Sequence, residues 1–182
     1  GRFEADRLIL AAGPWTGRLL ADLGLPLTTT RQVVGWFQPR RPTRFTPAAM
    51  PVWGLESPAG GFVYGFPQLP DRPGVKVAHH VVGRPVDPDA MARDVAPEER
   101  ADFAAAVGRA LPDAAGSVLS MSACLYTNTP DGHFVVDRHP RHERVLIAAG
   151  FSGHGFKFAS VLGEALADLC THGRTDLPIG FL

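Results

Sequence analysis

The sequence predicts an α/β chain, an α+β mixture in which buried parallel strands at both ends flank a meandering mixed sheet. Three observations carry this. Residues 7–24 read strand, glycine, helix. Residues 145–173 repeat that order around a glycine-rich loop. Between them, short β-branched runs alternate with Pro/Gly turns and a single convincing helix.

The elements follow in order. Residues 7–12 are uniformly apolar after Arg7, which reads as a buried strand ended by Gly13. Pro14 suits a first helical turn, and Trp15, Leu19, Leu20 and Leu23 recur at helical spacing before Gly24. Residues 29–37 form a strand. Four prolines between 39 and 51 make a loop. Residues 52–55 and 61–66 are short strands joined by a Pro/Gly turn, and 71–74 is another turn. Residues 75–82 form the most strand-like run. One helical turn is expected at 88–93. A longer helix spans 97–111, opened by Pro97, Glu98 and Glu99, with Phe103, Val107 and Leu111 on one face. Strands are expected at 117–126, 134–136 (after the Asp131-Gly132 turn) and 145–149. Residues 159–172 form the last helix, with Val161, Leu162, Ala165, Leu166, Leu169 and Cys170 inward and Gly173 as its cap.

Composition excludes several classes. The 182 residues are 45% hydrophobic and 20% charged, as in a globular protein with a real core. Eighteen basic residues balance 18 acidic ones, so no basic field exists for nucleic acid or an anionic membrane. The longest apolar run is seven residues, 145–151, against about 20 for a bilayer span. Two cysteines make neither a disulfide framework nor a Cys-rich zinc site, and they suit a reducing cytoplasm. The start lacks the apolar core of a signal peptide. Only two of the 18 basic residues are lysines, Lys76 and Lys157.

Those lysines, and a few other side chains, could carry chemistry. Lys76 and His80 share one face of their strand around small Ala78, either lining a pocket or forming a solvated face that also exposes Val82. Tyr64 is either a core aromatic or a pocket wall. Cys124 is either a small buried hydrophobe or a reactive thiol. The loop Gly150-Phe151-Ser152-Gly153-His154-Gly155 leads into a helix, whose free N–H groups favour an anion or an electron-rich ring edge. A tight strand–helix connection is the plainer reading, because the loop is not a GxGxxG fingerprint. Lys157 stands against the helix dipole, as a surface lysine or as a cation facing a carboxylate.

The segment Ala123-Cys124-Leu125-Tyr126-Thr127-Asn128-Thr129-Pro130-Asp131, followed by Ala149-Gly150-Phe151-Ser152-Gly153-His154-Gly155-Phe156-Lys157-Phe158, resembles the monomeric sarcosine oxidase family. That family includes N-methyltryptophan and pipecolate oxidases. The 33-residue step from Cys124 to Lys157 fits its pattern. Arg31-Gln32-Val33-Val34-Gly35, Tyr64-Gly65-Phe66-Pro67, Gly74-Val75-Lys76 and His80 fall in order, so the resemblance spans essentially the whole chain.

The resemblance implies part of a two-domain FAD-dependent oxidoreductase. Rossmann-like FAD-domain pieces would cover 1–25 and 127–182, and a mixed-sheet substrate domain 26–126. Cys124 would carry the flavin through a thioether to its 8α-methyl. Gly13, Trp15, Phe151, Gly153, His154 and Gly155 would contact the cofactor. Lys157 would pair with the substrate carboxylate, and Lys76 would promote oxygen reduction. Tyr64 and His80 would line the substrate cavity. The implied reaction oxidises a secondary (N-methyl) amino acid such as sarcosine to an imine, with O₂ reduced to hydrogen peroxide. The parent is expected to be a cytoplasmic monomer without nucleic-acid or membrane partners.

Departures from the pattern add a further expectation. The N-terminal dinucleotide fingerprint and the acidic ribose ligand are absent. The chain is therefore expected to be a fragment, with half of a family member preceding Gly1 and an early stop at Phe181-Leu182. Alone it is expected to bind FAD poorly and to lack oxidase activity. Alternatives are a flavin dehydrogenase, an oxidase of a cyclic amino acid, a non-catalytic carboxylate- or partner-binding domain and, more distantly, a Cys-dependent hydrolase.

Overall fold

The computed structural model describes residues 1–56, 62–81 and 83–182. The expected turn before residue 61, Gly61 itself and Val82 lie outside the described residues. The chain divides into two compact units. The first combines Gly1–Thr30 with Leu125–Leu182, and the second is Arg31–Cys124.

In the first unit, β1 (Leu8–Leu10) pairs in parallel with β9 (His142–Ala149), and β9 pairs antiparallel with β8 (Val135–His139). The last two strands make a hairpin around Pro140 and Arg141. The sequence reading did not anticipate it, because His142, Glu143 and Arg144 look like loop. The expectation that 7–12 is a buried strand is corrected: Leu8 is 52% and Ile9 38% exposed. Strand β1 stands at the edge of this three-stranded sheet, where a uniformly apolar strand has cover on one side only.

The expected helix after Gly13 is also corrected. It is broken into a 3₁₀ turn (Gly13–Trp15), a four-residue α1 (Thr16–Leu19) and a second 3₁₀ turn (Ala21–Leu23). Pro14 and Gly17 weaken so short a helix, and neither end has a side-chain cap. Leu20 packs with Ile147 and Ala149, while Leu19 is exposed. Gly24 ends the segment at φ 60°, a left-handed conformation that glycine adopts without penalty.

Helix α3 (Ala159–Thr171) packs Leu162 and Leu166 against Phe134, Val136, Leu146 and Ala148, and its Ala165 is buried as well. Cys170 packs beside this core, as its helical position predicts. Val161, expected inward, is 37% exposed. Arg138 donates from β8 to the carbonyls of Leu169 (3.2 Å) and Gly173 (2.7 Å), satisfying acceptors that a helix C-terminus leaves open.

The second unit is a sheet with the order β3-β4-β5-β2-β6, and β7 also pairs with β2. The strands are β2 (Thr28–Phe37), β3 (Trp53–Glu56), β4 (Phe62–Phe66), β5 (Val75–His80), β6 (Arg84–Pro85) and β7 (Val118–Asn128). Strands β2 and β7 run on into the first unit at their ends. Helix α2 (Pro97–Ala110) packs Val107 and Phe103 against Phe37, Val63, Val75 and Val77. A fully buried Phe or Val of this kind contributes about 1.5–3 kcal/mol. Arg31 ties α2 to β2: it donates to Glu99 at 2.5 Å and to the carbonyls of Ala92 and Asp94. The helical turn expected at 88–93 is a single turn closed by Ala90 N–H to the Asp87 carbonyl.

Candidate active site

Side-chain alternation gives the second unit two unlike sheet faces. Phe37, Val63, Val75 and Val77 point to α2. The opposite face is read from the register. Trp36, Lys76 and Phe66 are cross-strand neighbours, and so are Val34, Ala78 and Tyr64, and then His80 and Phe62. Lys76 and His80 therefore share a face with Tyr64, around a buried Ala78. Both polar side chains are half-buried. The Phe62 ring lies 5.9 Å from Tyr64 and 5.1 Å from His80, so aromatic edges line this face. The Lys76 ammonium stands 5.0 Å from the Phe66 ring centre and 5.8 Å from Trp36.

Cys124 belongs to the same unit. Its Sγ approaches the Gln32 carbonyl at 3.8 Å, a long and weak contact. The residue is exposed by its accessible area, yet shielding around the sulfur pushes the thiol above its ordinary pKa. The positive charges of Lys76 and Arg31 pull it back in part. Thiol and ammonium thus lie within one another's field.

The first unit builds a separate site around the loop that follows β9. Gly150 and Gly153 adopt φ 64° and 77°, and Ser152 adopts φ 47°, a rare conformation for a side-chain-bearing residue. Ser152 explains its own strain. Its N–H donates to the Thr127 carbonyl at 2.9 Å, and its hydroxyl donates to the Gly150 carbonyl at 3.0 Å. That hydroxyl also accepts the Thr129 N–H at 3.3 Å. Local sequence does not single out Ser152, because its partners Thr127 and Thr129 lie on a distant stretch of chain. Gly153 rests on the Tyr126 ring, and a Cβ there would stand 2.3 Å from a ring carbon. Lys157 donates its ammonium to the His154 carbonyl at 3.0 Å, inside its own loop.

A cavity of about 530 Å³ opens over this loop. Gly13, Phe151, Gly153 and Gly155 line it, as do Tyr126 and Phe156, which were not singled out as site residues. Trp15 and His154 do not line it. Trp15 is 39% exposed. His154 turns to Phe134, 5.0 Å between ring centres. Much of the remaining wall is Ala11, Ala148, Gly150, Ala159 and Gly163. With so few side chains, a flat ring or a diphosphate can approach the backbone closely. These residues fit a dinucleotide cofactor such as FAD.

Comparisons with known proteins agree. The family model described as FAD dependent oxidoreductase matches residues 1–169. The chain is 44% identical to a monomeric sarcosine oxidase of Streptomyces avermitilis, over 98% of this chain and 47% of that protein. It is 36% identical to an N-methyl-L-tryptophan oxidase of Salmonella dublin, over 96% of this chain and 46% of that protein. It thus spans about half the length of the curated relatives it matches. Among solved structures, amadoriase I of Aspergillus fumigatus covers the whole chain at TM-score 0.76 and 23% identity, with 43% of its own chain covered. The open form of NikD, an unusual amino acid oxidase, covers 95% at TM-score 0.73 and 22% identity, with 46% of its own chain covered. At those identities the likeness is one of fold. Among the described residues, no helix is long and apolar enough to cross a membrane. The family match across 169 residues makes the chain a member of the FAD dependent oxidoreductase family.

Proposed function

We propose that this chain forms part of an FAD-dependent oxidase of secondary, N-substituted amino acids, of the sarcosine and N-methyltryptophan kind. The reading rests on the family match and on one observation above all. A cation, Lys76, and a thiol, Cys124, share one electrostatic field in a unit whose open sheet face is lined by Tyr64, His80 and Phe62.

FAD would supply a two-electron acceptor for the substrate CH–NH unit, which becomes C=N, the two electrons and two protons ending on O₂ as hydrogen peroxide. Water then hydrolyses the imine to an amine and an aldehyde. In the first unit, the FAD-binding part, Gly13, Phe151, Gly153 and Gly155 line the cavity and would hold the cofactor, while Trp15 and His154 stand outside that lining. Cys124 would be its covalent anchor through the sulfur. Lys157 binds the substrate carboxylate by exchanging the His154 carbonyl for a stronger, charged acceptor. In the second unit, the substrate-binding part, Tyr64 and His80 orient the substrate beside apolar rings. Lys76 keeps a fixed positive charge for the anion that forms as O₂ takes its first electron. The complete enzyme acts as a cytoplasmic monomer. The chain alone neither retains FAD nor turns over, since it spans half the length of its relatives.

The test is anaerobic mixing of the complete, flavin-loaded protein with sarcosine, N-methyl-L-tryptophan and pipecolate, followed by air. At least one substrate is expected to bleach the flavin absorbance. Air then restores it, with one peroxide formed per imine. Absorbance unmoved by all three contradicts the reading.

A further inference from the structure

Lys76 raises a question that its role leaves open. Lysine has a flexible four-carbon stem and a strongly hydrated head, so a half-buried ammonium needs something to hold it. A carboxylate is the usual partner. Among the described residues, no acidic oxygen lies within 4.0 Å of the Lys76 ammonium. Two rings stand in that place. The register puts Trp36 on one neighbouring strand and Phe66 on the other, directly opposite Lys76. The ammonium lies 5.8 Å and 5.0 Å from their centres, both within cation–π reach. Trp36 is only 8% exposed, and the Arg72 guanidinium lies 4.2 Å from its ring centre.

We infer that Trp36 and Phe66 are positioning residues, an aromatic cradle that fixes the Lys76 ammonium without neutralising it. The distinction from a salt bridge is physical. A carboxylate holds an ammonium by cancelling its charge. A ring attracts it through a quadrupole and adds no net charge, so the field of the cation stays available to other groups. The pull of Lys76 on the Cys124 thiol is one sign of that open field. The cradle also restricts rotamers that a lysine on an open sheet face would otherwise sample. The inference rests on the proposed function only for what the held charge is used for.

The experiment reads position and use separately. Reductive ¹³C-methylation of the flavin-loaded protein keeps each lysine charged and gives it a resonance, assigned for Lys76 by its loss in Lys76→Arg. Ring currents from Trp36 and Phe66 are expected to displace that resonance from the free dimethyl-lysine position. Phe66→Leu is expected to move it back toward that position, and Phe66→Tyr to retain it. Phe66→Leu is also expected to slow flavin reoxidation by O₂ about fivefold, the ratio matching an ordinary cation–π contact. Anaerobic reduction by substrate is expected to stay within about twofold. Trp36→Leu should act alike; because Trp36 is buried, half-buried Phe66 keeps the test decisive if that variant fails to fold.

A Lys76 resonance unmoved in folded Phe66→Leu overturns the cradle. So does Lys76→Met slowing reoxidation while Phe66→Leu neither moves the resonance nor slows the reaction. A resonance that moves in Phe66→Leu, with reoxidation untouched even in Lys76→Met, upholds the cradle and removes the oxygen role of Lys76 from the proposed function.

Discussion

Cys124 shows how opposed local effects set a side chain's readiness to react. Partial burial favours its neutral thiol, and the charges of Lys76 and Arg31 favour the thiolate; burial is the larger effect. The folded pKa therefore lies above the unfolded one. The stability this contributes is present below the ordinary thiol pKa and is lost as pH rises through the folded value. Iodoacetamide should modify Cys124 more slowly than a free thiol at pH 8. Lys76→Met should slow it further by removing one of the two opposing charges. Peptide mapping against time reads both rates, and faster modification in Lys76→Met contradicts the coupling. At this scale the sequence was partly legible. A period of two was enough to put Lys76 and His80 on one face around Ala78. It could not reveal Trp36 and Phe66 as partners of Lys76, because register between strands is set by turns and packing. Ser152 stayed hidden for the same reason, since its hydrogen bonds reach another strand.

Among the elements, the loop after β9 is held from both sides. Gly153 is left-handed and lies on the Tyr126 ring, so Gly153→Ala meets backbone strain and overlap together. It should destabilise by about 1–3 kcal/mol. Gly163→Ala in α3 is the matched control. Its Cβ meets nothing within 4 Å, and the change should stabilise by about 0.5–1 kcal/mol. Thermal melting of the two variants should therefore move in opposite directions; a shared direction contradicts the packing argument. At the other end of α3, Arg138→Ala leaves the Leu169 and Gly173 carbonyls without their cap. A loss of about 1–2 kcal/mol is expected, with faster amide exchange confined to the last turn of α3. Exchange unchanged there means the contact stabilises nothing. Long periodic elements such as α2 and α3 were readable to within a residue or two. The segment after Gly13 was not. Its leucines kept a helical period, but Pro14, Gly17 and the missing caps let packing around Leu20 break it into short turns.

At the scale of the whole molecule, several large apolar side chains of the first unit are exposed. Leu8, Ile9, Leu19 and Phe156 are exposed in the first unit, the last at 96%. The chain spans about half the length of its relatives. The fold class could be read from the ends of the sequence, where strand, glycine and helix follow one another. The division into units rests instead on long-range pairing. It falls after Thr30 and after Cys124, between residues that no composition shift separates. The proposed function requires that, in the complete protein, Cys124 carries the flavin. Mass spectrometry of the tryptic peptide 110–138, taken from the complete, flavin-loaded protein, reads this out. This peptide is expected to carry the flavin, with Cys124 as the modified residue. Flavin present in the complete protein but absent from this peptide contradicts the covalent anchor, and a folded complete protein that takes up no flavin contradicts the redox function.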